Sequence, residues 1–250
     1  MKILKPVFLT LGASLVALMF IPAGASAQQY PQPQPQPQPP PPPLTAQPAG
    51  CPQRGFLFVG TNGNDTFNTT PFSDVLLGLG GNDVLGALGA PDCLYGGAGN
   101  DRLGGGAGND RLFGGSGTDR LTGGSGNDRG FGEAGPDTLG GGSGNDRLSG
   151  AGSNDSASGG SGNDSLSGGA GSDRLSGGSG RDRPSGGSGN DRISGGSGRD
   201  RISGGSGRDR ISARDNAKDT INCGSGRDRV TADRSPRDIV SSNCEIVLRG

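Results

Sequence analysis

Aspartate recurs at a fixed interval over most of this chain. From Asp65 to Asp209, seventeen aspartates follow one another every nine residues without a slip, and the spacing then loosens to Asp219, Asp228 and Asp238. Carboxylate oxygens are preferred ligands of hard divalent cations. A row of carboxylates at constant spacing therefore predicts a row of cation sites, provided that the fold stacks successive repeats on one another.

The repeating unit predicts such a stack. GGSGNDRIS begins at Gly186, and GGSGRDRIS follows at Gly195 and again at Gly204. One large apolar residue two positions after the aspartate, flanked by polar residues, is typical of a very short strand with one face inward. The six glycine-rich residues before it form the turn. A strict period over this length predicts a solenoid. Apolar residues hold this position in most repeats, the exceptions being Gly130, Ala157 and Pro184.

Composition excludes several classes of protein. The 250 residues include 54 Gly and 18 Pro, and only 28% are hydrophobic, so a conventional core is not expected. The chain has no His, which excludes a histidine-based catalytic triad and a His-ligated zinc site. A catalytic site needs convergent groups in a concave pocket, and the segments outside the repeats are too short for a second domain. We therefore expect no enzymatic activity.

The first fifty residues predict export. Lys2 and Lys5 precede an apolar run over residues 7–21, and Ala25-Ser26-Ala27 fits a cleavage site, so residues 1–27 form a signal peptide. An uncleaved anchor is the alternative. Residues 28–50 form a Pro/Gln-rich disordered linker that acts as a spacer. The predicted domains that follow are the repeats, 51–212, and degenerate repeats with a disulfide cap, 213–250.

Two copies, GGAGNDRLG at Gly96 and GGSGNDRLS at Gly141, match the pattern GGxGxDxUx, in which U is a large apolar residue. Over roughly residues 60–212 the chain resembles the repeats-in-toxin (RTX), or hemolysin-type, calcium-binding family. The resemblance implies an all-β fold, a right-handed parallel β-roll solenoid with two nonapeptides per coil. It also implies Ca²⁺ between the turns of repeats n and n+2, bound by aspartate carboxylates and loop carbonyls.

Elementary electrostatics agrees with that implication. Coils in a parallel stack lie about 4.8 Å apart, and carboxylates at that distance repel by roughly 1–3 kcal/mol per pair. A divalent cation between them reverses the sign. Zinc is disfavoured because no His or Cys recurs with the loops, and magnesium because it demands tight octahedral geometry. Two alternatives remain open, a roll held only by its apolar column and hydrogen bonds, and a disordered Gly/Ser linker.

Individual sites follow from the loops. With two repeats per coil, the aspartates divide between a first rim, which begins at Asp65, and a second rim, which begins at Asp74. We require glycine five and two residues before each aspartate, and the loops before Asp74, Asp92 and Asp155 fail this test. Adjacent intact loops then allow about 11 calcium ions. The predicted metal ligands are Asp65, Asp83, Asp101, Asp110, Asp119, Asp128, Asp137, Asp146, Asp164, Asp173, Asp182, Asp191, Asp200 and Asp209.

Two places in the stack are predicted to be irregular. The first is residues 150–158, where the loop before Asp155 lacks a required glycine and Ala157 thins the core. The second is the coil with Arg183 and Pro184, because proline cannot donate to a strand ladder.

Arginine follows most of the aspartates, and strand alternation points it outward. On the simpler of two interpretations, these arginines only form a solvent-exposed, solubilising face. The other begins from the charges of residues 60–212: 17 Asp, one Glu and 13 Arg give −5, and eleven calcium ions would change this to +17. A basic rod attracts polyanions, such as an anionic cell-envelope polymer, whereas specific reading of nucleic acid is not expected. The candidate contacts are Arg102, Arg111, Arg120, Arg129, Arg147, Arg174, Arg192, Arg201 and Arg210.

Four cysteines in an exported chain predict two disulfides, for which three connectivities exist. Local order favours Cys51 with Cys93 and Cys223 with Cys244. The second pair lies in the segment predicted to cap the stack.

Together these features predict a secreted bacterial calcium-binding repeat protein. Its β-roll is predicted to fold around stacked Ca²⁺ and to have a structural or cell-surface interaction role, either free outside the cell or associated with the cell surface. The alternative is a calcium-dependent polyanion-binding or adhesin module that uses the outward arginines.

Overall fold

The structure, a computed structural model, describes Cys51, residues 55–233 and residues 238–249. Within these ranges the chain forms 22 β-strands, β1 to β22, and no helix. No segment that the structure describes is a helix suited to crossing a membrane. The predicted signal peptide and linker lie outside the described residues.

The strands form two parallel sheets of eleven strands, and consecutive strands alternate between them. The odd-numbered strands make sheet A: Leu57–Val59, Val75–Gly80, Cys93–Ala98, Arg111–Ser116, Arg129–Ala134, Arg147–Gly152, Ser165–Ala170, Arg183–Ser188, Arg201–Gly207, Thr220–Gly226 and Ile239–Val240. The even-numbered strands make sheet B: Thr66–Asn68, Val84–Gly86, Arg102–Ala107, Arg120–Ser125, Thr138–Ser143, Ser156–Ser161, Arg174–Ser179, Arg192–Ser197, Arg210–Ala213, Arg229–Ala232 and Ile246–Arg249.

The register confirms two nonapeptides per coil. Leu139 in β10 pairs with Ala157 in β12, and Leu148 in β11 pairs with Leu166 in β13, each eighteen residues further on. The prediction of an all-β parallel β-roll is therefore confirmed. The strands are longer than expected, because most span six residues of the repeat, as in β10, and five of these pair with the next coil, including the second glycine of the pair. The turn is correspondingly short.

The core is a single thin layer between the two sheets. From Leu76 onward the apolar residue of each repeat is buried, as shown by Leu76 and Leu94 at 0% exposure, and the side chains of both sheets form one continuous cluster. Ala157 is also buried, in register between Leu139 and Leu175, where it fills less of that layer. One side chain per repeat buries little apolar area, so the core alone gives each coil modest stability.

The predicted irregularity at Pro184 is confirmed. Pro184 pairs with Leu166 of the preceding coil. On the other side, the ladder from β15 to β17 begins only at Ser185, which pairs with Ser203. Proline has no backbone N–H to donate, so the ladder to the next coil loses its first pairs.

Both favoured disulfides are present, Cys51–Cys93 and Cys223–Cys244. Cys93 begins β5 on the outer face of sheet A, so the first bond pins the chain at Cys51 to that face and not to the end of the stack. Tyr95 lies beside it, with its hydroxyl 3.1 Å from the Cys51 sulfur. Its ring begins an aromatic stack that continues through Phe113 and Phe131, with centroid separations of 4.6 and 5.0 Å.

The turns require positive φ at two positions, four and two residues before the aspartate. Glycine holds both in most repeats, for example Gly142 (φ 111°) and Gly144 (φ 123°). The loop before Asp155 has Ala151 and Ser153 there, both at φ 81°. Side chains with a Cβ adopt this region at a cost of roughly 1–2 kcal/mol. Backbone strain therefore adds to the thin core within the predicted weak segment, 150–158.

We expect Ala151→Gly combined with Ser153→Gly to stabilise the calcium-loaded roll by about 2 kcal/mol. Each change removes left-handed strain and loses part of that gain to the greater entropy of glycine in the unfolded chain. Denaturant unfolding in saturating calcium measures the change. Ala170→Gly is the matched control, since exposed Ala170 lies outside the positive-φ region, and it should destabilise by about 0.5–1 kcal/mol. A double variant no more stable than the parent would refute the strain.

Candidate metal centre

The periodic aspartates are buried, although they lie in turns. From Asp74 to Asp228 each is at most 2% exposed. Fully buried carboxylates are rare unless they are paired or bind a metal. Whether the rims can bind a metal therefore depends on which partners the carboxylate oxygens have.

One oxygen of each carboxylate belongs to a hydrogen-bond ladder along the stack. The backbone N–H of each aspartate donates to Oδ1 of the aspartate one coil further on, as in Asp128 to Asp146 (2.8 Å) and Asp146 to Asp164 (2.8 Å). The ladder continues into the degenerate repeats, where Asp219 donates to Asp238 and Asp228 to Glu245. It was not predicted from the sequence, and it links neighbouring coils without a metal.

The other oxygen, Oδ2, is buried and has no hydrogen-bond partner in most repeats. This holds for Asp83, Asp92, Asp101, Asp110, Asp119, Asp128, Asp137, Asp146, Asp155, Asp164, Asp173, Asp182, Asp191, Asp200, Asp209, Asp219 and Asp228. An unsatisfied buried carboxylate oxygen is costly, so a repeated set of them indicates a missing positive partner.

The first aspartate of each rim is different. Oδ2 of Asp65 accepts hydrogen bonds from the Thr61 backbone (2.6 Å) and hydroxyl (3.0 Å). Oδ2 of Asp74 accepts from the Thr70 backbone (3.1 Å) and hydroxyl (2.8 Å). Threonine four residues before the aspartate therefore satisfies the oxygen that the later repeats leave open.

In most repeats the open oxygen faces a backbone carbonyl of the next coil across a glycine. A Cβ built on Gly141 would collide with Oδ2 of Asp146 and lie 2.6 Å from the carbonyl oxygen of Gly159. The same relation joins Gly105, Asp110 and the Gly123 carbonyl. In these repeats glycine leaves open the space that the two oxygens share.

Burial without compensation raises the pKa of these carboxyls. The pKa of Asp146 rises to about 6 and that of Asp110 to about 7. The largest cause is desolvation, opposed by the ladder hydrogen bond and reinforced by the charges of neighbouring aspartates. At neutral pH most of these aspartates are ionised, although their buried surroundings disfavour the charged form.

The donor set fits a hard cation. Among the described residues, no three His, Cys, Asp or Glu side chains converge on one point. A bound ion would therefore use the aspartate Oδ2 atoms together with glycine carbonyls and water. All of these are oxygen ligands, which Ca²⁺ prefers and accepts in irregular numbers, whereas structural zinc sites use Cys and His.

In the structure, aspartates that failed the loop test make the same contacts as aspartates that passed it. Asp92 and Asp155, which the test set aside, make the same ladder bonds and leave Oδ2 open. Asp219 and Asp228 do so as well. Asp65, which the test included, has its Oδ2 satisfied by Thr61. The set of calcium ligands stays a prediction, and threonine at the fourth position before the aspartate is the sequence signal that could have separated Asp65.

The comparison with family models agrees with this geometry. The model for the RTX calcium-binding nonapeptide repeat matches residues 59–89, 95–130, 122–157, 149–184 and 185–216. The chain belongs to this family. No curated protein shows a significant match to it. The RTX protein is therefore a calcium-binding repeat protein, and its β-roll is a structural calcium-binding fold.

The candidate arginines form columns on the outer faces of the sheets. On sheet A, Arg111, Arg129 and Arg147 pair in register on successive coils. On sheet B the longest column consists of Arg174, Arg192, Arg210 and Arg229. Arg102 and Arg120 pair in a shorter column on sheet B, and Arg201 in sheet A pairs with Thr220. All of these side chains are exposed except that of Arg111, which is half-buried.

Proposed function

We propose that this chain is an exported structural protein whose β-roll forms when calcium enters the two aspartate rims outside the cell. The observation that carries the proposal is the row of buried, unpartnered Oδ2 atoms that face carbonyl oxygens of the next coil. Calcium is abundant outside the cytoplasm, so folding would follow export. Two disulfides fit the same compartment.

A passive role fits the chemistry of the rims better than catalysis does. From Asp83 to Asp228 the periodic aspartates share one arrangement, one oxygen in the ladder and the other open, whereas an acid and base pair needs two carboxyls in different surroundings. Their periodicity is explained by metal binding alone. The roll then serves as a structural rod.

Export is tested with the full chain expressed in a bacterium and recovered from medium, cell surface and cell interior. We expect the outside fractions to hold a chain beginning near Gln28, because Ala25-Ser26-Ala27 supplies the cleavage site. Ala27→Leu is the control, and it should leave the chain membrane-bound with its N-terminus intact. A parent chain that stays inside the cell, unprocessed, would overturn the proposed location.

A further inference from the structure

The arginine columns of the two sheets differ in their surroundings. On sheet A, a groove of about 350 Å³ runs beside β7, β9 and β11, and Arg111, Arg129 and Arg147 line it with Asn109 and Asn127. A second groove of about 390 Å³ shares Asn127 and Arg147, and is also lined by Arg181 and Arg183. The two grooves adjoin at these shared residues along the second rim, and together we call them the rim groove.

One hydrogen-bond donor in the rim groove lacks a partner. Nη1 of Arg111 is buried and has no hydrogen-bond acceptor among the described residues. A buried guanidinium N–H without an acceptor is costly. Stacking like charges on neighbouring coils adds repulsion. Both costs are relieved by an anionic ligand that runs along the stack.

An asparagine ladder supplies a second donor on each coil. The side-chain amide of Asn145 donates to Asn127 (3.1 Å), and that of Asn163 donates to Asn145 (2.9 Å). Each amide carries two N–H donors, so one remains for a ligand. Where the column is complete, the groove therefore offers a planar guanidinium fork and an amide N–H per coil, about 4.8 Å apart along the axis.

We propose that the rim groove binds a linear carboxylated polysaccharide, with one sugar per coil. The guanidinium fork matches a carboxylate in bidentate fashion, and the amide N–H suits a ring hydroxyl. An extended sugar chain advances by about the same distance per residue as the coils do. Nucleic acid fits less well, because the rings of Tyr95, Phe113 and Phe131 stack on one another, which covers both faces of Phe113 and one face of each of the others.

This inference depends on the proposed calcium binding. The rim groove is also lined by Asp92, Asp110, Asp146 and Asp164. Without calcium these carboxylates repel an anionic chain, whereas each divalent ion that they bind reverses the local sign. Calcium is therefore required for both the fold and the charge of the groove.

The test uses the folded, calcium-loaded mature chain and short oligomers of a linear polyuronate, measured by calorimetry. One variant carries Arg111→Gln, Arg129→Gln and Arg147→Gln. The matched control carries Arg174→Gln, Arg192→Gln and Arg210→Gln, which removes the same charge from sheet B. We expect the sheet A triple to weaken binding by about 30-fold and the control by less than about 3-fold. Circular dichroism in calcium confirms that both variants are folded.

Three results would overturn the inference. Equal losses in the two triples would indicate unspecific attraction to a basic rod. Equal or tighter binding of single-stranded DNA or polyphosphate of matched charge would assign the groove to phosphate. A chain that folds with calcium but binds no polyanion would refute the polysaccharide proposal and leave the proposed function unaffected. A chain that does not respond to calcium would instead overturn the proposed function itself.

Discussion

Replacing Asp146 with asparagine is expected to remove about two calcium ions and destabilise the loaded roll by about 5 kcal/mol. Asp146 lies in the middle of the second rim, and its open Oδ2 faces the Gly159 carbonyl. By the family arrangement it contributes to the sites on both of its sides. At one hundred times its Kd, each site contributes about 2.7 kcal/mol, so two contribute about 5 kcal/mol.

The variant isolates the metal contribution, since asparagine has nearly the same shape. The amide oxygen can still accept the ladder hydrogen bond from the Asp128 N–H, which is 2.8 Å long in the parent. Calcium stoichiometry by equilibrium dialysis and denaturant unfolding at fixed calcium provide the two measurements.

Asp74→Asn is the matched control from the same rim. Both oxygens of Asp74 have protein donors, Phe56 on one side and Thr70 on the other. We expect unchanged stoichiometry and a loss of only about 1 kcal/mol from a weakened hydrogen bond. If Asp146→Asn bound as many ions as the parent, Oδ2 of Asp146 would not be a ligand.

Removing calcium at neutral pH is expected to unfold the roll, and acidification should partly restore it. The pKa of nine buried aspartates rises to about 6 or 7 in the folded chain: Asp92, Asp101, Asp110, Asp137, Asp146, Asp155, Asp182, Asp191 and Asp219. A shift of about two pKa units costs about 3 kcal/mol per ionised group. Even if coupling halves their sum, nine such groups cost about as much as the upper part of the 5–15 kcal/mol that stabilises a typical domain.

The sign of the pH dependence follows from the raised pKa values. The folded, metal-free chain holds protons that the unfolded chain releases near pH 4, so folding takes up protons. The stabilisation that protonation gives is complete below about pH 4 and is lost as the pH rises through 6 to 7. Circular dichroism of the metal-free chain from pH 8 to pH 4 should therefore show a gain of β-structure.

Calcium should show the opposite trend, since protons compete with it for Oδ2. Its apparent affinity is expected to fall as the pH is lowered from 8 to 5. A metal-free chain that loses structure on acidification would contradict the pKa shifts. An affinity for calcium that is independent of pH would contradict the assignment of the carboxylates as ligands.

The sequence was sufficient to predict stacked coils, because a strict nine-residue period indicates that every repeat adopts the same conformation. A nonapeptide repeated in strict register can pair only with copies of itself, and the single apolar position fixes which face points inward. The buried Leu and Ile column and the broken ladder after Pro184 were predictable on these grounds, whereas the eighteen-residue register was implied by the family resemblance.

The different roles of the two oxygens of each carboxylate could not be predicted in this way. That Oδ1 joins a ladder while Oδ2 stays open depends on side-chain rotation in three dimensions, which the period does not specify. The loop test therefore set Asp155 apart, although its contacts match those of its neighbours. It also kept Asp65, whose Oδ2 is satisfied by Thr61.

The ladder also strengthens the main competing explanation. A roll held by its apolar column and hydrogen bonds alone now has hydrogen bonds along both rims in its favour. The two explanations differ in the charge of the open oxygens. Without a cation, the ladder must form among ionised, desolvated carboxylates.

Far-ultraviolet circular dichroism of the mature, disulfide-intact chain at pH 7.5 tests that difference most directly, in strong chelator, in magnesium and in increasing calcium. We expect a largely unfolded spectrum in chelator and in magnesium, and a cooperative rise of β-structure with calcium alone. An equally strong β-spectrum in chelator, unchanged when calcium is added, would show that hydrogen bonds and the apolar column suffice and would contradict metal-driven folding.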